Sequence, residues 1–378
     1  MRIRVQEIAR AVLATVLLFS AACGRTPEGP TAEAQGAAIP GLPAGFRLSV
    51  YAEGLGRARF MWFGPDGTLY VGTNERSGRV WALPDKNGDG RADENIVFAD
   101  GLYAPHSVHW KDGWLYIGEG HQVIRARDTN GDLRADDKEV VVAGLPRGGN
   151  HFTRTVGFGP DGGLYVSVGS SCNACIEEDA RRATILRFNP DGSGMEIFAR
   201  GLRNAVGFTW HPETKDMWAV VNGRDLLGDD LPPEELNLVR RGDDHGWPYC
   251  YGNRIPDPDF GSRERCARTV PDTFEMQAHS APLGLAFYTG TMFPAEYRGD
   301  LFIAFHGSWN RSVPTGYKVV RVRFKNGRPV SIEDFVDVWY KRGRVEHRPV
   351  DVAVGPEGAL YISDDRGGTI FRVTYEKR

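Results

Sequence analysis

Three histidines, three arginines and two asparagines stand at one recurring kind of place in this chain, just ahead of an apolar run. His106 lies in LYAPHSVHW, and Asn150, His151 and Arg154 lie in GGNHFTRTVGF. Arg203 and Asn204 lie in GLRNAVGFTW, His279 in AHSAPLGLAF and Arg348 in EHRPVDVAV. A histidine with no Ser or Cys nucleophile beside it suits general-base work. Arginines unmatched by a carboxylate cluster suit a planar or polyanionic ligand, because the guanidinium fork meets flat anionic groups at two points. These residues are spread from position 106 to position 348, so no local motif joins them. Only a fold that returns the chain repeatedly to one place brings them together.

The chain has such a repeat. FGPDGTLYVGT from Phe63, VHWKDGWLYIGE from Val108, FGPDGGLYVSV from Phe158, FTWHPETKDMWAV from Phe208, LAFYTGTMFPAEYRGDLFIAF from Leu285 and VAVGPEGALYISD from Val352 each read as strand, turn, strand. Most of the turns carry Gly, Pro or Asp, which supply the positive φ and the side-chain hydrogen bonds that tight hairpins need. Third strands follow in GRVWALP, QVIRARD, TILRFNP and KVVRVRF, and fourth strands in ENIVFADGL and KEVVVAGLP. Six such units predict an all-β fold, a six-bladed β-propeller of four-stranded antiparallel sheets. The last unit ends in TIFRVTY without a fourth strand. FRLSVYAEGL from Phe46 is expected to supply it and close the ring, leaving no free edge. The propeller is expected over residues 44–378 as one domain. PPEELNLV from Pro232 is the one short stretch with a helical reading. In a propeller the loops into the innermost strands gather at one mouth of the central channel, and the polar residues above belong there.

Hydrophobic residues make up 41% of the 378, enough for a packed core, and 47 glycines and 23 prolines fit many short strands joined by tight turns. A formal net charge of −3 with both signs mixed throughout speaks against a nucleic-acid surface. MRIRVQEIAR followed by AVLATVLLF reads as a signal peptide over residues 1–22, the apolar run being too short to span a bilayer comfortably. SAAC resembles a lipobox, which makes Cys23 the lipidated first residue of an exported, periplasmic, membrane-anchored lipoprotein. Cleavage without lipidation, giving a free periplasmic protein, is the alternative. Residues 23–43 read as a flexible tether. The remaining cysteines, in an oxidising compartment, read as two disulfides between sequence neighbours, Cys172–Cys175 and Cys250–Cys266.

The segments GNHFTRTVGFGPDGGLYVSVGSSCNAC, ARGLRNAVGFTWHP, NGRDLLGDDLPPEELNLV, GDDHGWPYC and EHRPVDVAVGPEGALYISD together resemble the soluble quinoprotein aldose dehydrogenases. The resemblance is closest to the L-sorbosone dehydrogenase-like branch and runs from about Leu42 to the end. It implies pyrroloquinoline quinone (PQQ) in the propeller mouth with a calcium ion. It also implies oxidation of an aldose or sugar aldehyde, with electrons passed to an external quinone or cytochrome. His151 is then the catalytic base, taking the proton of the substrate hydroxyl as hydride leaves the same carbon. Arg203 and Asn204 are implied as a cofactor-contacting pair, and Arg348 as a further arginine on the cofactor. His106, Arg224, Asn310 and Arg311 join the cofactor contacts, with His306 in the same stretch as the last two. The backbone carbonyls of Gly223 and Arg224 are the implied calcium ligands. Asp225, Asp229 and Asp230 are alternative oxygen ligands, because this loop is longer than in glucose-oxidising relatives and lacks their Gly-Pro step. That difference, and another in HGSWNRSVPTGYKVVRV, leaves the sugar open.

DKNGDGRADE from Asp85 and DTNGDLRADDKE from Asp128 each resemble half of an EF-hand loop. The first has Gly90 at the sharp turn but Ile96 where the bidentate Glu belongs. The second has Glu139 there but Leu133 in place of the Gly. Outer-strand turns and accessory calcium sites both account for them. Two other functions use the same architecture. A metal-dependent lactonase needs Glu, Asn and Asp side chains converging in the channel. A non-enzymatic sugar- or protein-binding propeller leaves His151 dispensable. The Arg and His content of the strand entrances favours the dehydrogenase.

Overall fold

The computed structural model describes residues 41–376; the stretches read from sequence as a signal peptide and a lipidation site at Cys23 lie outside the described residues. Six four-stranded antiparallel sheets follow one another along the chain. Blade one is Ala58–Phe63, Leu69–Thr73, Gly78–Leu83 and Ile96–Leu102, and blade two is Ser107–Lys111, Trp114–Glu119, Gln122–Arg127 and Asp137–Val142. Blade three is Val156–Phe158, Leu164–Val168, Thr184–Phe188 and Glu196–Arg200. Blade four is Gly207–Trp210, Met217–Val221, Glu234–Val239 and Phe274–Met276, and blade five is Pro282–Phe287, Leu301–Phe305, Lys318–Lys325 and Arg328–Val336. Blade six takes Pro349–Val354, Leu360–Asp364 and Thr369–Tyr375 from the end of the chain and Phe46–Ala52 from its start. That N-terminal strand runs antiparallel to the last one, with Phe46 opposite Tyr375 and Val50 opposite Phe371. The ring closes as the sequence predicts.

The repeated GPDG and GPEG turns fold alike for a visible reason. In blade one Gly64 N–H donates to Thr68 O, and Gly67, at φ +84°, donates to Gly64 O. Blade three repeats this with Gly159, Gly162 and Gly163, and blade six with Gly355, Gly358 and Ala359. Positive φ is what glycine supplies at no steric cost. Second strands are buried on both faces because each lies between two strands of its own blade and two neighbouring blades. Leu69–Thr73, Leu164–Val168, Met217–Val221, Leu301–Phe305 and Leu360–Asp364 are buried at every position. The blades pack through these strands. Phe302 and Ala304 of blade five share a cluster with Leu360 and Ile362 of blade six, and Phe46 of the closing strand joins it.

PPEELNLV corrects the helical expectation: Glu234–Val239 is the buried third strand of blade four. The paired prolines read locally as a helix start. The strand is set instead by pairing with Met217–Val221 and by both glutamates burying their carboxylates on backbone N–H groups. Glu234 accepts from Gly223 and Ala281, and Glu235 accepts from Gly252. The short α-helix lies elsewhere, at Arg263–Cys266, capped by Ser262. Both expected disulfides are present, Cys172–Cys175 and Cys250–Cys266.

Because each hairpin is antiparallel, the start of its first strand and the end of its second lie at the same end of the blade. Ala58 pairs with Thr73, Ser107 with Gly118 and Pro349 with Asp364. One mouth of the channel is therefore built from twelve chain segments, of which the strand entrances are only half.

Candidate active site

His151 enters the mouth just ahead of blade three. Its Nδ1 lies 3.1 Å from the backbone oxygen of Ser170 and 2.9 Å from the Ser170 hydroxyl. A carbonyl only accepts, so Nδ1 carries the proton and the lone pair sits on Nε2. The hydroxyl agrees, because its own hydrogen is given to Cys172 O at 2.8 Å and it too must accept from Nδ1. Nε2 has no hydrogen-bond partner among the described residues. Burial, reinforced by the charge of Arg203, pushes the His151 pKa down to about 3, so the ring is neutral at physiological pH. Gly169 makes the approach feasible: a Cβ there would stand 2.5 Å from His151 Cβ and 2.7 Å from Asn204 Oδ1. Arg154 holds the His151 backbone, its buried guanidinium donating to the carbonyls of His151, Thr153 and Pro146.

Arg203 and Asn204 meet the same floor. Arg203 donates from Nε to Asn173 O, from Nη1 to Asn222 O and from Nη2 to Asn173 Oδ1, and pairs with Asp225 at 3.2 Å. Each of its three nitrogens has a protein partner, so it fixes its neighbours as well as supplying charge. Asn204 bonds Asn222 through Nδ2. Arg348 differs. Nε and Nη2 donate to His306 O and Gly307 O, Nη1 has no partner among the described residues, and no carboxylate pairs with it. It is a held cation with one free prong.

A buried chain of polar groups crosses four blades on the other side of the mouth. His306 Nε2 meets Asp365 Oδ1 at 2.9 Å, and Asp365 Oδ2 meets Arg59 Nη1 at 2.8 Å. Arg59 Nε donates to His106 Nδ1 at 3.2 Å. Burial alone would push the Asp365 carboxyl up, but the His306 hydrogen bond and the Arg59 charge hold it well below the usual carboxylate range. Burial first, then Arg59, holds His106 neutral. Since Arg59 fills Nδ1, the His106 proton is on Nε2, which is buried and unpartnered.

The loop after blade four's second strand holds the remaining candidates. The carbonyl oxygens of Gly223 and Arg224 accept no hydrogen bond among the described residues. The Arg224 side chain is bound to Asp257 at 2.7 Å and Asp259 at 3.0 Å, so its guanidinium is committed to protein carboxylates. Asp225 accepts from Asn310 Nδ2 at 3.0 Å, and Asn310 Oδ1 is buried without a partner. Asp229 accepts from Ser312 N–H, Asp230 pairs with Arg311 at 3.3 Å, and His279 bonds Gly228 O. The last three contacts tie the loop to its surroundings. Among the described residues, the one set of three His, Cys, Asp or Glu side chains within reach of a single ion is Cys172, Cys175 and Glu177, and its two sulfurs are bonded to each other. The loops at Asp85 and Asp128 fold as matched turns, each first Asp accepting N–H groups three and five residues on.

Arg59, Ser170, Asn173, Asn222, Glu234 and Asp365 were not singled out from sequence. Ser170, Asn222 and Asp365 follow second strands, so a reading of strand exits as well as entrances would have found them. Burial pushes the Glu234 carboxyl up to about 7.

The fold and site together define a six-bladed propeller whose polar mouth gathers a neutral histidine, arginines and backbone carbonyls that accept no hydrogen bond among the described residues. The TrAA12-like family profile matches residues 40–376, and the chain belongs to that family. This agrees with the resemblance carried by the motifs above. An uncharacterized protein of Borreliella burgdorferi is 31% identical over 354 residues, covering 89% of this chain and 91% of its own. The aldose sugar dehydrogenase YliI of Escherichia coli is 27% identical over 73% of this chain and 76% of its own. The holo form of the pyranose dehydrogenase PQQ domain from Coprinopsis cinerea shares the fold, with a TM-score of 0.74 at 22% identity over 89% of this chain and 99% of that one.

Proposed function

We propose that this protein is a PQQ- and calcium-dependent dehydrogenase that oxidises a CH–OH group of an aldose or sugar aldehyde. The observation that carries the reading is His151: Nδ1 is pinned as a donor, which leaves Nε2 as a free, neutral base at the mouth. Relatives that are sugar dehydrogenases support it. The residues fit the cofactor. A flat tricarboxylate needs cations and donors, and Arg348 Nη1 and the buried His106 Nε2–H are unspent donors. Calcium needs oxygens, and the free carbonyls of Gly223 and Arg224 are the ligands we assign, with Asp225 beside them. When bound, PQQ supplies the two-electron acceptor and calcium polarises its carbonyl.

His151 Nε2 takes the proton of the sugar hydroxyl, and the resulting imidazolium is stabilised by Nδ1–H donation to Ser170. Arg203, Asn204 and Arg348 offset and orient the cofactor's anionic groups. An external quinone or cytochrome takes the electrons. The chain is read as an exported lipoprotein anchored through Cys23, with residues 44–378 as the catalytic domain. Titrating metal-stripped protein with PQQ, with and without Ca²⁺, tests the whole reading. Calcium-dependent binding followed by bleaching with aldoses is expected. No binding under either condition overturns it and turns attention to lactone hydrolysis.

A further inference from the structure

The four-residue ring closed by Cys172–Cys175 touches both halves of the candidate site. On one side Cys172 O takes the hydrogen of the Ser170 hydroxyl, at 2.8 Å, which makes that hydroxyl an acceptor for His151 Nδ1. The tautomer of the base is thus set in part by a carbonyl inside the ring. On the other side Asn173, between the two cysteines, holds Arg203 twice, through its backbone oxygen at 2.8 Å and Oδ1 at 2.9 Å. The same Oδ1 accepts Asp225 N–H at 2.8 Å, and Asn173 Nδ2 donates to Asp225 O at 3.1 Å. Every polar atom of the Asn173 side chain is used on the arginine or on the loop that carries the candidate calcium carbonyls. Both cysteines are only half-buried, so a small dithiol reaches them. The second disulfide, Cys250–Cys266, has no such links: Cys266 Sγ contacts Tyr249 O.

We propose that the Cys172–Cys175 ring is the shared positioning element of the base and the anion site, with Ser170 and Asn173 as its positioning residues. Opening the ring then loosens both together. The step is a two-electron exchange: a dithiol gives two electrons and two protons, the S–S bond breaks to two thiols, and the dithiol becomes its own disulfide. The inference rests on the roles assigned above to His151 and Arg203.

The test uses full-length protein without cofactor, labelled with ¹⁵N-histidine, and reads the His151 tautomer and its titration by NMR. PQQ affinity is measured separately. In Cys172→Ser/Cys175→Ser, or after dithiothreitol treatment of the folded protein, His151 is expected to populate both tautomers and its titration to shift, because the Ser170 acceptors no longer hold Nδ1–H. PQQ affinity is expected to fall about tenfold, while Cys250→Ser/Cys266→Ser changes neither. Ser170→Ala should move the His151 titration and leave PQQ affinity, and Asn173→Ala should do the reverse. These single variants keep the question open to measurement if the double variant fails to fold. An unchanged His151 tautomer and titration after ring opening overturns the proposal. If PQQ binds neither form, the quinone reading fails and the His151 titration still decides the positioning role.

Discussion

The six inner strands carry opposite chemistry at their two ends. At the starting end the side chains are imidazole, guanidinium and carboxylate, and they meet between neighbouring blades, as Arg59 of blade one does with His106 and Asp365. At the far end Trp62, Phe63, Phe158, Trp210 and Phe287 surround a cavity of about 470 Å³, with Phe60 and Asp351 on its wall. Long polar side chains reach from one blade to the next, whereas rigid rings from four blades leave space between them. None of the residues that line this cavity belongs to the candidate site. What marks the site is directional groups left without partners, such as His106 Nε2 and Asn310 Oδ1.

The sharpest way to break the comparison is at His151. His151→Asn should lower kcat by about 10³-fold while PQQ binding, read by quinone absorbance, stays near wild type. Undiminished dye reduction by this variant removes His151 from the chemistry. The acid limb of the wild-type profile follows from the same residue. The base works unprotonated, so activity should hold from neutral pH downward and fall only as pH approaches about 3. A limb near 6.5 would mean that the ring is not desolvated as described.

Arg348→Ala should come next, weakening PQQ binding by roughly 10- to 100-fold with little change in the thermal midpoint. A loss of folding without loss of affinity would make Arg348 structural. The far end should answer in stability instead. Burial pushes the Asp351 carboxyl up to about 7, while one oxygen accepts Met61 N–H at 2.8 Å. The unfolded chain binds that proton only below about pH 4. Stability from Asp351 is therefore complete below about pH 4 and is lost as pH rises to about 7, an effect of roughly 4 kcal/mol. Asp351→Asn should narrow the gap between unfolding free energies at pH 5 and pH 8, with Glu234 and Glu235 leaving a residue of the same sign. An unchanged gap would mean that Asp351 titrates normally.

The smallest effect is expected at Trp62, which is 40% exposed at the far rim and stacks on His109. Trp62→Ala should change stability by less than about 1 kcal/mol and leave turnover alone. A changed turnover would tie the two ends together and remove the contrast.

By itself the sequence determined the blade count, the hairpin turns, the closing strand and both disulfides. Each depends on short-range rules: alternation, Gly and Asp at turns, and neighbouring cysteines. It also pointed to the mouth, because residues ahead of an inner strand share one end by topology. Tertiary structure alone decided which of those residues is free. Arg203 and Arg348 read alike in sequence, yet in one every guanidinium nitrogen has a protein partner and in the other Nη1 has none among the described residues. The His151 tautomer depends on Ser170, nineteen residues away, and that of His106 on Arg59, forty-seven away. PPEELNLV became a strand through N–H groups supplied by distant loops. Hydrogen-bond partners drawn from several blades exist only once the ring has closed, so no local pattern can encode them.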